Sequence, residues 1–331
     1  MNQFPNQNQF QIKLKKGICN SCGKASFLIE RKLNKELLCS QCFTEKIEQI
    51  IRKTIIDYKM ITPDDKVIVG LSGGKDSITL LYNLNQLSKN NILKSIHALI
   101  IDEGIKDYRA ESIKDAKSFC NEYHIPLKVI SFKERVGKTL DEINDFFKKK
   151  DNRRYTCNYC ATIRRRLLNE GAKELNGDIL AVGHNLTDFT ETYLMNILYN
   201  RLHLIGRQYL FKKESEEIKK NFIKKAKPLI QIPEEEVHLY ANLKNLKFFP
   251  SHCPYREEDP ILRKKVLNFI QEMKNISPDI EFNLFKSFNK LSKKLYQTYP
   301  IPPSNNCLKC GYPSGSTEIC TYCKLIQTFN E

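Results

Sequence analysis

The chain has 331 residues, with 54 Lys and Arg against 38 Asp and Glu and a formal net charge of +16. That length carries one large α/β domain with small appendages. The charge points to a polyanionic partner, nucleic acid rather than membrane, because no long apolar segment is present to insert. Twelve cysteines without an export signal indicate a reducing compartment, the cytoplasm, and metal sites rather than disulfides.

Residues 1–16 are rich in Asn and Gln and read as a disordered tail. Within 17–45, Cys19, Cys22, Cys39 and Cys42 follow the pattern C-x2-C-x16-C-x2-C. Two such knuckles place four thiolates around one Zn²⁺ with no position left open, so the site is structural. Gly23 suits the tight turn of the first knuckle. Ile47, Ile50, Ile51, Ile55 and Ile56 then recur at helical spacing, giving a connecting helix over 46–60.

The large domain is expected over 61–300. Val67, Ile68 and Val69 form a β-branched run, and from Asp76 apolar residues recur at Ile78, Leu80, Leu81, Leu84 and Leu87. A strand therefore runs into a glycine turn that opens a helix, which aims backbone N–H groups and the positive helix end at one spot. Gly73 and Gly74 admit an anion closely, Ser72 and Ser77 add hydroxyl donors, and Lys75 adds charge. Asp76 is available for Mg²⁺. The loop is not a Walker A motif, because Asp76 follows the lysine and only three residues separate Gly70 from Gly74. S-G-G-K-D-S instead resembles the pyrophosphate (PP) loop of ATP pyrophosphatases, which cut ATP between the α and β phosphates and adenylate a substrate oxygen.

Further strands are expected at 95–101, 127–132 and 179–183, with helices at 108–123 and 138–150 between them. Strands alternating with helices predict a doubly wound parallel α/β sheet, with the strand ends lining one crevice. Asp102, at the end of the second of these strands, is placed to touch a ribose or adenine. His184, Asn185, Asp188 and Glu191 gather at the end of the fourth. Between them, Cys157 and Cys160 are flanked by Arg153, Arg154, Arg164, Arg165 and Arg166. Nearby arginines favour thiolates, and this pair is open to three readings: a redox pair, half a zinc site, or iron–sulfur ligands.

The lysine-dense stretch 212–227 reads either as an arm meeting phosphates or as a solvated helix face. Helices are expected at 233–243, 260–273 and 282–296, with Cys253 isolated before a proline. Pro302 and Pro303 break the chain. Over 301–331, Cys307, Cys310, Cys320 and Cys323 form a second four-cysteine zinc module.

Taken together, the four-cysteine modules, S-G-G-K-D-S, D-E-G-I-x-x-Y-R, C-N-Y-C, G-H-N-L-x-D and C-P-Y resemble, in order, the tRNA 2-thiouridine synthetases of the PP-loop superfamily. The resemblance implies a Rossmann-like PP-loop fold and ATP contacts from Gly70, Leu71, Ser72, Gly73, Gly74, Lys75, Asp76, Ser77, Ile101, Asp102, Gly183, His184 and Asn185. It implies that Cys157, Cys160 and Cys253 bind a [4Fe–4S] cluster with one iron left open for sulfur. It also implies Mg²⁺, two Zn²⁺, tRNA as partner, and sulfur from sulfide or a ubiquitin-like carrier with a C-terminal thiocarboxylate; a homodimer is compatible with it. The stretches 204–208, 227–229 and 236–240 look more like the branch that thiolates the T-loop uridine 54 than the branch acting on wobble uridine 34. Two residues depart from the T-loop pattern: Arg164 stands where that branch places a catalytic lysine, and Thr187 replaces the first Asp of an N-x-D-D run.

The expected chemistry adenylates the C2 oxygen of uridine and replaces it with sulfur. Asp188 is the candidate proton acceptor and Arg164 the candidate stabiliser of the adenylated intermediate. Two rivals stay open: a persulfide route through Cys157 or Cys253, and a non-catalytic zinc-containing RNA-binding protein.

Overall fold

The structure is a computed structural model and describes residues 14–149, 155–212, 216–250, 253–255, 261–299 and 305–330. Most of the expected tail, Arg153 and Arg154, and the Pro302–Pro303 break lie outside those residues. Strands β1 (Leu14–Ile18), β2 (Ala25–Glu30) and β3 (Leu37–Leu38) form a small antiparallel sheet. Leu14, Lys15 and Lys16, assigned to the tail from sequence, instead pair with Ile29, Leu28 and Phe27. Helix α1 (Ser40–Asp57) starts inside this module, with Cys39 as N-cap, so the division expected at 45/46 falls within one helix. It buries Ile47, Ile51 and Ile55, whereas Ile56, included in the expected apolar stripe, is 73% exposed.

From there β4 (Lys66–Gly70) runs into α2 (Lys75–Lys89) and β5 (Ser95–Asp102) into α3 (Arg109–Glu122). Strand β6 (Leu127–Ser131) leads to α4 (Phe132–Val136), α5 (Leu140–Lys149) and α6 (Thr156–Glu174). Strand β7 (Ile179–Val182) leads to α7 (Leu186–Leu198), α8 (Leu202–Arg207) and α9 (Glu216–Asn221). Finally β8 (Lys224–Ala226) leads to α10 (Glu234–Leu243), α11 (Ile261–Ile276) and α12 (Ile280–Thr298). Strands β9 (Asn305–Asn306) and β10 (Pro313–Gly315) with α13 (Thr321–Asn330) make the C-terminal module.

The five central strands are all parallel, in the order β6-β5-β4-β7-β8. Val67, Ile68 and Val69 are fully buried, and their alternation feeds two cores. Val67 and Val69 pack with residues of α1, α2, α3, α7, α10 and α12, while Ile68 packs with residues of α5, α6 and α13 on the other face. Burial on both faces is why these strands read as continuous apolar runs. The chain moves outward from β4 to β6, then returns to the opposite side of β4 with β7. The C-terminal ends of β4 and β7 therefore flank the topological switch point, where such sheets bind ligands.

The 212–227 stretch resolves neither as an arm nor as one helix face: it holds α9 and then β8, the fifth strand. Only Ala226 of β8 is buried; Lys224 and Lys225 are exposed. Charged side chains are expected on an edge strand, where they deter further pairing. Beyond it, the first turn of α10 presents three glutamates to three different elements. Glu234 pairs with Lys75 at 2.7 Å, Glu235 with Lys274 at 2.7 Å and Glu236 with Arg31 at 2.8 Å.

Candidate active site

The loop after β4 is built as the sequence suggests. The hydroxyls of Ser72 and Ser77 lie 3.0 Å apart, the Ser77 hydroxyl accepts from the Ser72 N–H at 3.1 Å, and it donates to the Gly74 carbonyl at 3.0 Å. Gly73 has φ +88°, and a Cβ there would stand 2.8 Å from the Ser112 carbonyl. Gly74 caps α2 without a side-chain acceptor, so first-turn N–H groups face the crevice. Lys75 lies between Asp76 at 3.0 Å and Glu234 at 2.7 Å. Burial pulls its pKa down, but those two carboxylates outweigh it and raise the value. Gly183, after β7, approaches so closely that a Cβ would meet the Asp76 backbone at 2.9 Å. This lets Asn185 donate to the Asp76 carboxylate at 3.1 Å.

At the end of β5, Ile101 is buried and Asp102 is half-buried, its carboxylate accepting from the Gly104 N–H at 2.9 Å. The buried acid is its neighbour Glu103, which pairs with Arg109 at 2.7 Å and reaches Arg164 at 3.7 Å. Arg109 also donates to the Ser72 carbonyl at 2.8 Å, tying α3 to the phosphate loop.

Cys157 and Cys160 lie at the N-terminal end of α6, three residues apart and so on one face. The chain reaches Cys253 from the loop itself, since the Phe249 N–H donates to the Gly73 carbonyl at 2.9 Å. The Cys157 thiol lies 3.6 Å from the Tyr255 carbonyl, and the Tyr255 hydroxyl donates to Asp141 at 2.7 Å. Arg164 follows Cys160 by four residues on α6, and so lies on the same side of the helix, with its side chain 48% exposed. The expectation that arginines favour thiolates fails for Cys160: burial outweighs Arg164 and pushes its pKa up to about 12. The remaining cysteine, Cys120, is buried in α3 and pushed up to about 11 by burial alone.

His184 is exposed at the mouth of the crevice, where the surrounding protein and then the positive charges of Lys227 and Arg164 lower its pKa. Asn185 is the N-cap of α7 and exchanges hydrogen bonds with Asp188 in a capping box. Burial and then the Asp76 carboxylate push half-buried Asp188 up to about 7. Lys227, just past β8, is lowered to about 8 by burial and then by Lys225 and Lys212, with Asp188 pulling the other way.

Two further sites are complete sets of four thiols. The sulfur atoms of Cys19, Cys22, Cys39 and Cys42, and those of Cys307, Cys310, Cys320 and Cys323, lie within 4.8 Å of one another in each group. Backbone donors point at them: the Cys39 N–H at the Cys19 sulfur and the Cys320 N–H at the Cys307 sulfur, both at 3.3 Å. Hydrogen bonds from the Cys22 and Cys39 backbone lower Cys19 to about 6, and similar donors outweigh burial to bring Cys307 to about 6. Both sets fit a single tetrahedral ion. Among the described residues, the thiols of Cys157, Cys160 and Cys253 are not gathered within 4.8 Å of one another.

A family model described as a PP-loop domain matches residues 40–269. A probable sulfurtransferase of Methanocaldococcus jannaschii is 38% identical over 314 residues, covering 94% of this chain and 88% of its own. The cytoplasmic tRNA 2-thiolation protein 1 of Oryza sativa is 32% identical over 314 residues, covering 95% and 83%. The chain belongs to the tRNA 2-thiolation family of PP-loop proteins. Among solved structures, the U34-tRNA thiolase NcsA from Methanococcus maripaludis with its [4Fe-4S] cluster superposes with a TM-score of 0.78 at 31% identity, over 94% of this chain and 96% of that one. This neighbour's named target is U34, not the T-loop uridine expected from the sequence.

Membership of the 2-thiolation family explains the motifs but not every neighbour they acquire. Thr187, the departure from the N-x-D-D run, is buried; it donates to Glu281 at 2.7 Å and accepts from the Glu234 N–H at 3.2 Å. An aspartate there would face Glu281, itself 1% exposed. The sequence reading missed Glu103, Arg109, Lys227 and Glu234 as crevice residues. For the first two the signal was present in D-E-G-I-x-x-Y-R; for the others only the three-dimensional return of β8 and α10 supplies it.

Proposed function

We propose that this chain is an ATP-dependent tRNA sulfurtransferase that converts wobble uridine 34 to 2-thiouridine, releasing AMP and pyrophosphate. What supports the reading is the phosphate loop bonded to Asn185 of the Asp188 capping box and tied through Arg109 to Glu103, which reaches Arg164 on the cysteine-bearing helix α6. Position 34 is favoured over 54 by the end-to-end likeness to a U34 thiolase and by Arg164, which stands in place of the lysine of the T-loop pattern.

The C2 oxygen of uracil is a poor leaving group, and adenylation makes it one that departs as AMP. The N–H groups of 73–77, Ser72, Ser77 and Lys75 hold the β and γ phosphates, and Asp76 offers a carboxylate to Mg²⁺. The target base leaves its stack to reach the α phosphate. Asp188 takes the proton that the reaction releases, Lys227 holds positive charge beside it, and Arg164 stabilises the adenylated oxygen. Cys157, Cys160 and Cys253 are the ligands for a [4Fe–4S] cluster, which when bound supplies an iron without a protein ligand where sulfur can be carried. The two four-cysteine sets hold structural Zn²⁺. Sulfur comes from sulfide or a thiocarboxylate carrier in the cytoplasm.

Mass-spectrometric mapping of tRNA nucleosides after reaction with the purified protein tests this. The expected result is 2-thiouridine at 34 with stoichiometric pyrophosphate. Sulfur at 54 overturns the position, and tRNA binding without pyrophosphate release overturns the enzyme reading in favour of an RNA-binding protein.

A further inference from the structure

Glu103 belongs to neither the phosphate loop nor the cysteine trio, yet it touches both through arginines. Its residue is 4% exposed, and its two carboxylate oxygens serve different partners: Oε2 meets Arg109 Nε at 2.7 Å, and Oε1 faces Arg164 Nη1 at 3.7 Å. Arg109 is equally buried; its Nε and Nη2 also donate to the Ile101 carbonyl, and its Nη1 donates to the Ser72 carbonyl at 2.8 Å and the Ser112 hydroxyl at 3.1 Å. Arg164 stands on α6, four residues after Cys160, with its side chain 48% exposed.

The turn carrying Glu103 is held rigidly. Gly104 takes φ +69°, Thr139 lies where a Cβ would sit, and the Leu140 N–H donates to the Glu103 carbonyl at 2.7 Å. A buried carboxylate on a fixed backbone cannot follow two guanidinium groups independently. Moving one changes the electrostatic cost of the other's position.

We propose that Glu103 is a positioning residue that fixes the register between the phosphate loop and the cysteine-bearing helix, so that a change at Arg164 is felt in ATP binding through Arg109. The proposal rests on reading the loop as an ATP site. Its consequence is that the helix bearing the sulfur-handling thiols and the loop bearing the nucleotide report on each other without sharing a contact.

The test uses iron-free full-length protein and binding of α,β-methylene ATP with Mg²⁺ by calorimetry. Arg164→Lys keeps the crevice charge, hence the long-range field, but loses the planar fork that faces Glu103. In the Glu103 background it should weaken nucleotide binding about fivefold, and in a Glu103→Gln background by less than about twofold. Equal weakening in both backgrounds means Arg164 acts on the nucleotide directly and overturns the proposal, as does no weakening in the first. Should Glu103→Gln fail to fold, Glu103→Asp retains the charge without the reach and must still blunt the Arg164→Lys effect. Failure of the unaltered protein to bind the nucleotide would instead sink the ATP-site reading, which keeps the two failures apart.

Discussion

Between the ends of β7 and β8, a carboxyl pushed up to about 7 acts on an ammonium pulled down to about 8. Below about pH 7 Asp188 keeps its proton and cannot accept another; above about 8 Lys227 loses its charge. The kcat/KM of thiolation should therefore rise through about 7 and fall above about 8, with both limbs belonging to the coupled pair. Asp188→Asn should erase the rising limb and lower kcat about 100-fold or more; an unchanged acid limb would assign the base elsewhere. Nearby, Thr187 makes a separate structural claim. Thr187→Val should cost about 1 kcal/mol by removing its hydrogen bond to Glu281. Thr187→Asp should cost about 2 kcal/mol or more by placing a second carboxylate beside a buried one. Urea denaturation measures both, and a Thr187→Asp variant as stable as the parent would remove the explanation offered for this departure.

The N-terminal module is joined to α10 by a buried ion pair in which Arg31 donates to both oxygens of Glu236, at 3.0 and 2.8 Å. Arg31→Met leaves a buried carboxylate unpaired and should cost about 3–5 kcal/mol, while the double change Arg31→Met with Glu236→Met should recover most of it. Denaturant titration of the single and double variants checks this; additive losses would show that the two residues act separately. Such pairings bear on what the sequence could reveal. Strands β4 to β7 were legible because burial on both faces leaves an uninterrupted apolar run. Strand β8 was not, since only Ala226 of its three residues is buried and its place is set by pairing with β7. The site divides the same way. Lys75 and Asp76 carry their chemistry in a local motif, but Glu234 reaches Lys75 from 159 positions away. No local pattern encodes that contact.

On the scale of the whole molecule, Cys157 and Cys160 come from α6 while Cys253 arrives on a segment pinned to the loop at Gly73. The proposed trio therefore draws on two distant parts of the chain. Protein prepared without oxygen should be brown and carry about four irons per chain beyond any zinc. Replacing any one of the three by Ala should disturb the cluster and abolish thiolation, and Cys120→Ala should do neither, since that thiol is buried in α3. Iron-free protein thiolating tRNA at full rate would leave the persulfide route standing. The net charge of +16 meanwhile predicts that tRNA affinity falls steeply with salt.

The carboxylates around Lys75 give nucleotide binding a different ionic-strength signature from that of tRNA. Because Glu234 and Asp76 already neutralise the ammonium, an arriving phosphate exchanges one counter-ion for another instead of capturing a bare cation. ATP affinity should accordingly be nearly flat in salt where tRNA affinity is steep. Glu234→Gln removes one of the two carboxylates and leaves Asp76 at 3.0 Å, which should tighten ATP at low ionic strength and steepen its salt slope. With the first turn of α10 holding cations of three elements at once, ATP entry becomes an ion-exchange event at a helix end, and the displaced Glu234 is left to find water or Mg²⁺.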